Sequence, residues 1–221
     1  IGRVVTKTSI RFGKTVKHLS IAKMKKEIIY LDLFSGTGGF AKGLQSSGFV
    51  FAKHYYSEVD KYSVANYQYN FRHAKNLGDI TKIKGKQIER PNIITFGSPC
   101  QDISIAGKRK GLKGKRSNLF FEAVRLIKQL QPRAFIFENV KGLFSSNTGK
   151  DFETVLKAFT DIGLYNIQWQ LLNTCWFLPQ NRERIYLVGH LRGTPRPEVF
   201  PLAQNASEDI ILPTITTRVT A

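Results

Sequence analysis

Apolar and polar positions along the chain alternate between strand-like runs and helical spacing. Residues 28–33 form an apolar run closed by Ser35-Gly36-Thr37-Gly38-Gly39, which predicts a buried strand feeding a glycine turn. Phe40 and Leu44 then share one helical face, and Gly48 stops that helix. Residues 49–56 predict a second strand, and 61–71 a helix with Tyr62, Ala65 and Tyr69 on its inner face. A strand at 92–96 precedes an amphipathic helix at 119–130, with Phe120, Val124 and Ile127 inward. Residues 134–137 predict a strand, 152–159 a helix, and 167–172 and 184–189 two final strands with no helix between them. Such alternation implies βαβ units: an α/β fold with a doubly wound, mostly parallel sheet and a ligand site at the carboxyl ends of its strands. Outside this core, residues 1–27 read as a basic arm whose single acid is Glu27, and 193–221 as a linker.

Composition narrows the class. With 42% hydrophobic and 12% aromatic residues, wholesale disorder is excluded. No apolar run approaches the ~20 residues that cross a bilayer, so a membrane protein is not expected. Two cysteines, Cys100 and Cys175, exclude a disulfide scaffold and fit a reducing compartment. No signal-peptide pattern is visible, so the expectation is a cytoplasmic protein. Lys and Arg number 34 against 16 Asp and Glu, a net charge of +18. That makes a polyanion the leading partner, nucleic acid being the commonest, with a cationic surface kept for solubility as the alternative.

Four clusters could carry chemistry. The turn after the first strand lets backbone amides approach a ligand, and Glu58, 22 residues after Gly36, stands where dinucleotide-type folds hold ribose hydroxyls. The spacing is G-x-G-G, without a full G-x-G-x-x-G, which favours an adenosyl ligand over a pyrophosphate; a helix cap and a solvated acid remain the plain alternative. Cys100 follows the strand at 92–96 and precedes Lys108, Arg109, Lys110, Lys113, Lys115 and Arg116, cations that favour thiolate. An inert buried thiol is the even alternative there, and the expected state of Cys175. Glu138 ends an apolar strand, where partial desolvation would raise its pKa; capping the next segment is the alternative. Arg182 and Arg184 fall on one side of an extended segment, able to hold a carbonyl or phosphate, or to form a solvated edge pair.

Together these segments resemble the cytosine-5 DNA methyltransferases of bacterial or phage type. Asp32-Leu33-Phe34-Ser35-Gly36-Thr37-Gly38-Gly39 looks like the family's cofactor motif, and Glu58 stands where its ribose-binding acid stands. Gly78-Asp79-Ile80 matches the adenine-contacting segment, and Ser98-Pro99-Cys100-Gln101 the nucleophile motif. Glu138-Asn139-Val140 matches the acid motif, and Gln180-x-Arg182-x-Arg184 the arginine motif. The resemblance implies a Rossmann-like methyltransferase fold over a catalytic and cofactor-binding domain at 28–192. It implies methyl transfer from S-adenosylmethionine to carbon 5 of a cytosine flipped out of double-stranded DNA, through a covalent Cys100 adduct. Glu138 would bind ring nitrogen 3 and the exocyclic amine, and Arg184, supported by Arg182, the base carbonyl. The implied cofactor pocket comprises Phe34, Ser35, Gly36, Thr37, Gly38, Gly39, Glu58, Val59, Asp79, Ile80, Pro99 and Leu119. Gln101, Ser104 and Arg116 lie in the loop that closes over DNA, and no metal is implied.

The chain departs from the family at Val59, where an aromatic residue is usual, and at Cys175-Trp176-Phe177-Leu178-Pro179, an unusual approach to the arginines. The target-recognition domain, its supporting motif and the closing motif are not found, although residues 213–218 look like the start of that domain. A fragment is the first expectation; a subunit that needs a C-terminal portion or second chain, and a circular permutation, are the others. For permutation, Phe12-Gly13-Lys14-Thr15-Val16 resembles the closing motif's Gly-Asn-Ser-Val, with Lys14 replacing asparagine. Two other functions stay open: a tRNA cytosine methyltransferase of the same family, and a catalytically incomplete DNA-binding subunit.

Overall fold

A computed structural model describes residues 26–98, 118–194 and 198–202. Strands β1 (Lys26–Leu33), β2 (Phe49–Ser57), β3 (Lys75–Asn76), β4 (Ile93–Phe96), β5 (Ala134–Val140), β6 (Tyr165–Asn173) and β7 (Glu183–Leu191) form one sheet. Its order is β3-β2-β1-β4-β5-β7-β6. All pairs are parallel except those made by β7, which runs against both β5 and β6. Helices α1 (Gly39–Ser46), α2 (Lys61–Asn70), α3 (Asn118–Leu130) and α4 (Lys150–Thr160) connect them. The expected doubly wound, mostly parallel sheet is therefore present, and its order reverses between β1 and β4. In such sheets that switch point, at the strands' carboxyl ends, is where ligands bind.

β1 shows no polar alternation because both its faces are covered. Leu31 and Leu33 join Phe96, Phe135 and Phe137 beneath Phe120 and Ile127 of α3 and Phe159 of α4. Tyr30, on the other face, packs with Tyr56, Tyr67 and Phe71 beside Ala41 of α1. Each fully buried ring contributes roughly 2–3 kcal/mol. Where Phe135 crosses β7, a Cβ at Gly189 would stand 2.1 Å from its ring, so the strand carries glycine there for lack of space.

The inner face expected for α2 is corrected. Tyr62 and Tyr69 are exposed at 73% and 77%, and Ala65 is exposed too. Val64, Tyr67 and Phe71 face the sheet instead. Both triplets have the same i, i+3, i+7 spacing; a hydrogen bond from the Tyr67 hydroxyl to buried Asp32 selects the second. Cys175, expected as a buried thiol, is exposed in the turn between β6 and β7, where its N–H donates to the Asn173 side chain.

Beyond β7 the chain folds back on the sheet. Val199 and Phe200 N–H groups lie at 3.0 and 3.4 Å from the Gln168 side-chain oxygen, Leu202 N–H donates to Gln170, and Phe200 is buried. Among the described residues no helix is long and apolar enough to cross a membrane.

Candidate active site

The glycine turn leaves β1 through a strained residue. Phe34 has φ 52, a left-handed conformation that L side chains adopt at a cost of ~1 kcal/mol or more. Hydrogen bonds hold it there: Ser35 N–H donates to the Ser57 carbonyl at 3.3 Å, and Gly38 N–H to the Ser35 carbonyl at 2.9 Å. Gly36 and Gly38 also have positive φ, and a Cβ at Gly38 would meet the Phe71 ring at 2.4 Å. The turn thus lies flat on two aromatic rings, with Thr37 and Gly39 exposed at its outer edge. Ser35 is buried, and its hydroxyl has no hydrogen-bond partner among the described residues.

Glu58, at the end of β2, is fixed by main-chain donors alone. Gly36 N–H donates to one carboxylate oxygen at 3.0 Å; Val59 and Asp60 N–H donate to the other at 2.8 and 2.9 Å. This places the acid against the turn, as its distance in sequence from Gly36 led one to expect. Val59 is 73% exposed. The Asp79 carboxylate caps the following helical turn, and the bond from Thr81 N–H holds it below the usual carboxylate range. Ile80 is buried among the core side chains, and Leu119 packs on the edge of that core.

Across the switch point stands a second group. Glu138 projects from β5 on the face opposite Phe135 and Phe137. Antiparallel pairing sets Tyr186 beside it and Arg184 beside Val140. Arg184 Nε lies 2.9 Å from Glu138 Oε1, and an Arg182 terminal nitrogen lies 3.8 Å from it. Burial, then the negative charge of Glu138, push the Tyr186 phenol upward. A Cβ at Gly97 would stand 2.9 Å from Glu138 Oε2, so the missing side chain at the end of β4 gives the carboxylate its room.

The start of the turn and the second group share one open cleft of about 640 Å³, lined by Phe34, Ser35, Gly97, Glu138, Arg182 and Tyr186 among others, with Glu58 outside its lining. Cys100, with Pro99, Gln101, Ser104 and Arg116, lies outside the described residues. The chain just before it is nonetheless anchored: the Asn139 amide donates to the Ser98 carbonyl at 3.2 Å. Sequence reasoning quoted Asn139 in the acid motif without a role, and passed over Gly97 and Tyr186 as site residues. Only the position of Asn139 next to Glu138 signalled the first; the others depend on strand pairing.

The donor set suits an adenosyl group. A carboxylate preset by three amides, an unpaired buried hydroxyl and an aromatic side chain at the turn match ribose hydroxyls and a base, and no cation of this turn faces a pyrophosphate. Among the described residues no three His, Cys, Asp or Glu side chains gather to hold a metal.

The C-5 cytosine-specific DNA methylase family matches residues 28–219. An orphan methyltransferase, M.SPRI, of Bacillus phage SPR is 41% identical over 162 residues, 72% of this chain and 37% of that protein. The type II methyltransferase M.NgoBI of Neisseria gonorrhoeae is 42% identical over 168 residues, 75% of this chain and 51% of that one. The chain thus spans about a third to a half of the length of these relatives. Among solved structures, S. pombe Dnmt2 methyltransferase shares the fold with a TM-score of 0.60 at 21% identity, over 77% of this chain and 52% of that one.

Proposed function

Because the chain belongs to the C-5 cytosine-specific DNA methylase family, we propose that it methylates carbon 5 of a cytosine flipped out of duplex DNA, with Cys100 as nucleophile. The observation that supports this most is the cleft whose lining brings Phe34 and Ser35 of the turn together with Glu138 and Arg182, Arg184 being bonded to that Glu138. S-adenosylmethionine would supply an electrophilic methyl group for carbon 5, its sulfonium keeping the bonding pair and leaving as a neutral thioether. Phe34, Ser35, Gly36, Gly38, Gly39, Glu58 and Val59 would hold it, with Thr37, Asp79, Pro99 and Leu119 at the margins. Ile80, whose side chain is core, would contribute only its main chain.

The remaining steps belong to the chain's own side chains. Cytosine is too electron-poor at carbon 5 to act directly as a nucleophile. The Cys100 thiolate would form a bond to carbon 6, and the electron pair of the 5,6 double bond would make carbon 5 nucleophilic. Glu138 would bind the ring nitrogen 3 and amine edge, stabilising charge as the adduct forms. Arg184 and Arg182 would hold the base carbonyl; their present contacts to Glu138 keep both guanidinium groups at that edge. Loss of the carbon 5 proton to a base then restores the double bond and expels the thiolate. Because the base is shielded within a helix, it must leave the stack, which costs a few kcal/mol.

Incubation with S-adenosylmethionine and duplex DNA carrying 5-fluorocytosine tests the proposal, since fluorine cannot leave as a proton does. The expected product is a covalent complex mapped by mass spectrometry to Cys100 and lost in Cys100→Ala, which should still bind S-adenosylmethionine. An adduct on Cys175, or label transferred to tRNA and not to DNA, would overturn it.

A further inference from the structure

Asp32 is fully buried two residues before the glycine turn, and no step above uses it. It accepts hydrogen bonds from both flanks of β1. Thr95 of β4 donates to Oδ1 at 2.8 Å, and the Tyr67 hydroxyl of α2 donates to Oδ2 at 3.0 Å. His54 Nε2 lies 2.8 Å from the Tyr67 oxygen, and the Tyr30 hydroxyl 2.5 Å from that of Thr95. Donation can therefore run from His54 through Tyr67, and from Tyr30 through Thr95, to one carboxylate. Burial pushes Asp32 up from 3.8 to about 7, against those bonds. A well-packed apolar side chain usually serves stability as well as such a group does, so its presence points to a positional duty.

Tyr67 shows what that duty is. Its ring edge lies 3.0 Å from the place of a Cβ on Gly38, and its face stacks on Tyr56 at 4.1 Å. Tyr56 immediately precedes Ser57, whose carbonyl receives Ser35 N–H, and Glu58 follows. One ring thus touches both the turn and the strand end bearing the ribose acid, and hydroxyl contacts to Asp32 and His54 fix its rotation. Packing alone lets a ring slide along its neighbours; a bond to a buried, immobile carboxylate does not.

We propose that Asp32 is a positioning residue which, through Tyr67, holds the glycine turn in the shape that binds the adenosyl ligand. This rests on the cofactor reading above. Tyr67→Phe keeps the ring and removes the hydroxyl with its contacts to Asp32 and His54, whereas Asp32→Asn keeps that hydroxyl beside His54. Tyr165→Phe is the control: it deletes an equally buried hydroxyl, bonded to the Pro132 carbonyl at 3.0 Å at the opposite end of the sheet. In equilibrium dialysis with labelled S-adenosylmethionine, Tyr67→Phe and Asp32→Asn should each raise Kd about three- to tenfold, the worth of one buried hydrogen bond. Tyr165→Phe should leave Kd unchanged while lowering Tm as they do. Amide resonances of Gly36, Gly38 and Gly39 should shift in Tyr67→Phe and stay in place in Tyr165→Phe. Wild-type affinity in Tyr67→Phe and Asp32→Asn, with those resonances unmoved, overturns the positioning role. No binding of S-adenosylmethionine by the wild-type chain overturns the cofactor reading itself, and the proposal with it.

Discussion

Replacing either Asp32 or His54 should unmask a pH dependence of stability that the two conceal in each other. Asp32 faces the Tyr30, Tyr67 and Thr95 hydroxyls, with the charge of Glu58 nearby, and burial raises it from 3.8 to about 7. His54 is packed among Tyr30, Phe51, Tyr67 and Phe71, and burial brings it down from 6.5 to about 4. Between about pH 4 and 6.5 the unfolded chain therefore carries one proton on His54 and none on Asp32. The folded chain carries one on Asp32 and none on His54. Equal proton counts give no slope. His54→Gln leaves Asp32 alone: the folded state then holds the extra proton, and stability falls as pH rises from 4 to 7, by about 4 kcal/mol at full size. Asp32→Asn leaves His54 alone: the unfolded state holds the extra proton, and stability rises from pH 4 to 6.5 by at most about 3 kcal/mol. Neither shift draws on the other residue, so each substitution leaves the remaining group's cause in place. Urea denaturation of the three proteins at pH 4.5, 5.5 and 6.5 measures this directly. Variants that track the wild type in parallel, or that tilt the same way, would refute the reasoning.

Three further outcomes follow from the geometry. Gly97→Ala should fold with a near-native Tm yet lose at least about tenfold in methyl transfer to DNA, because its Cβ would displace Glu138 from 2.9 Å; full activity would show that the carboxylate position is not critical. Gly189→Ala should lower stability by about 3 kcal/mol or more in denaturant titration, since Phe135 must leave the sheet to admit the methyl group. Duplex binding by a chain of +18 should weaken linearly in log Kd against log salt, measured by fluorescence anisotropy, and a flat response would remove phosphate contact as its source.

Much of this architecture is legible in the residues because each site segment ends a strand. A run such as Ile28-Ile29-Tyr30-Leu31 closed by glycines specifies a buried strand and a turn with little competition. The spacing from Gly36 to Glu58 likewise survives folding, since one βαβ unit has a nearly fixed reach. Arg182 and Arg184 share a side by simple alternation. Their contact with Glu138 depends on β7 inserting antiparallel between β5 and β6, which no local pattern specifies. The same limit hid the contact of Asn139, a residue of the acid motif, with Ser98 41 residues away. The α2 error has another cause: its two candidate faces have identical spacing, and a tyrosine is apolar enough for one face and polar enough for the other.

The reversed direction of β7 also determines where later chain is tethered. β7 passes Glu138 at its start and ends beside Ala134, so the backbone leaves the cleft by the length of a nine-residue strand, ~30 Å. Residues 199–202 then turn back along β6 from Gln168 to Gln170, roughly 7 Å of that length, toward the end where Asn173 pairs with Glu183. Leu202, the last described residue, is thus held beside Gln170, whose β7 partner Tyr186 lines the cleft. A tether that starts near a site confines what it carries to a smaller volume and raises its effective concentration there, without any contact being made. Gln168 and Gln170 are the clips that fix where such a tether starts.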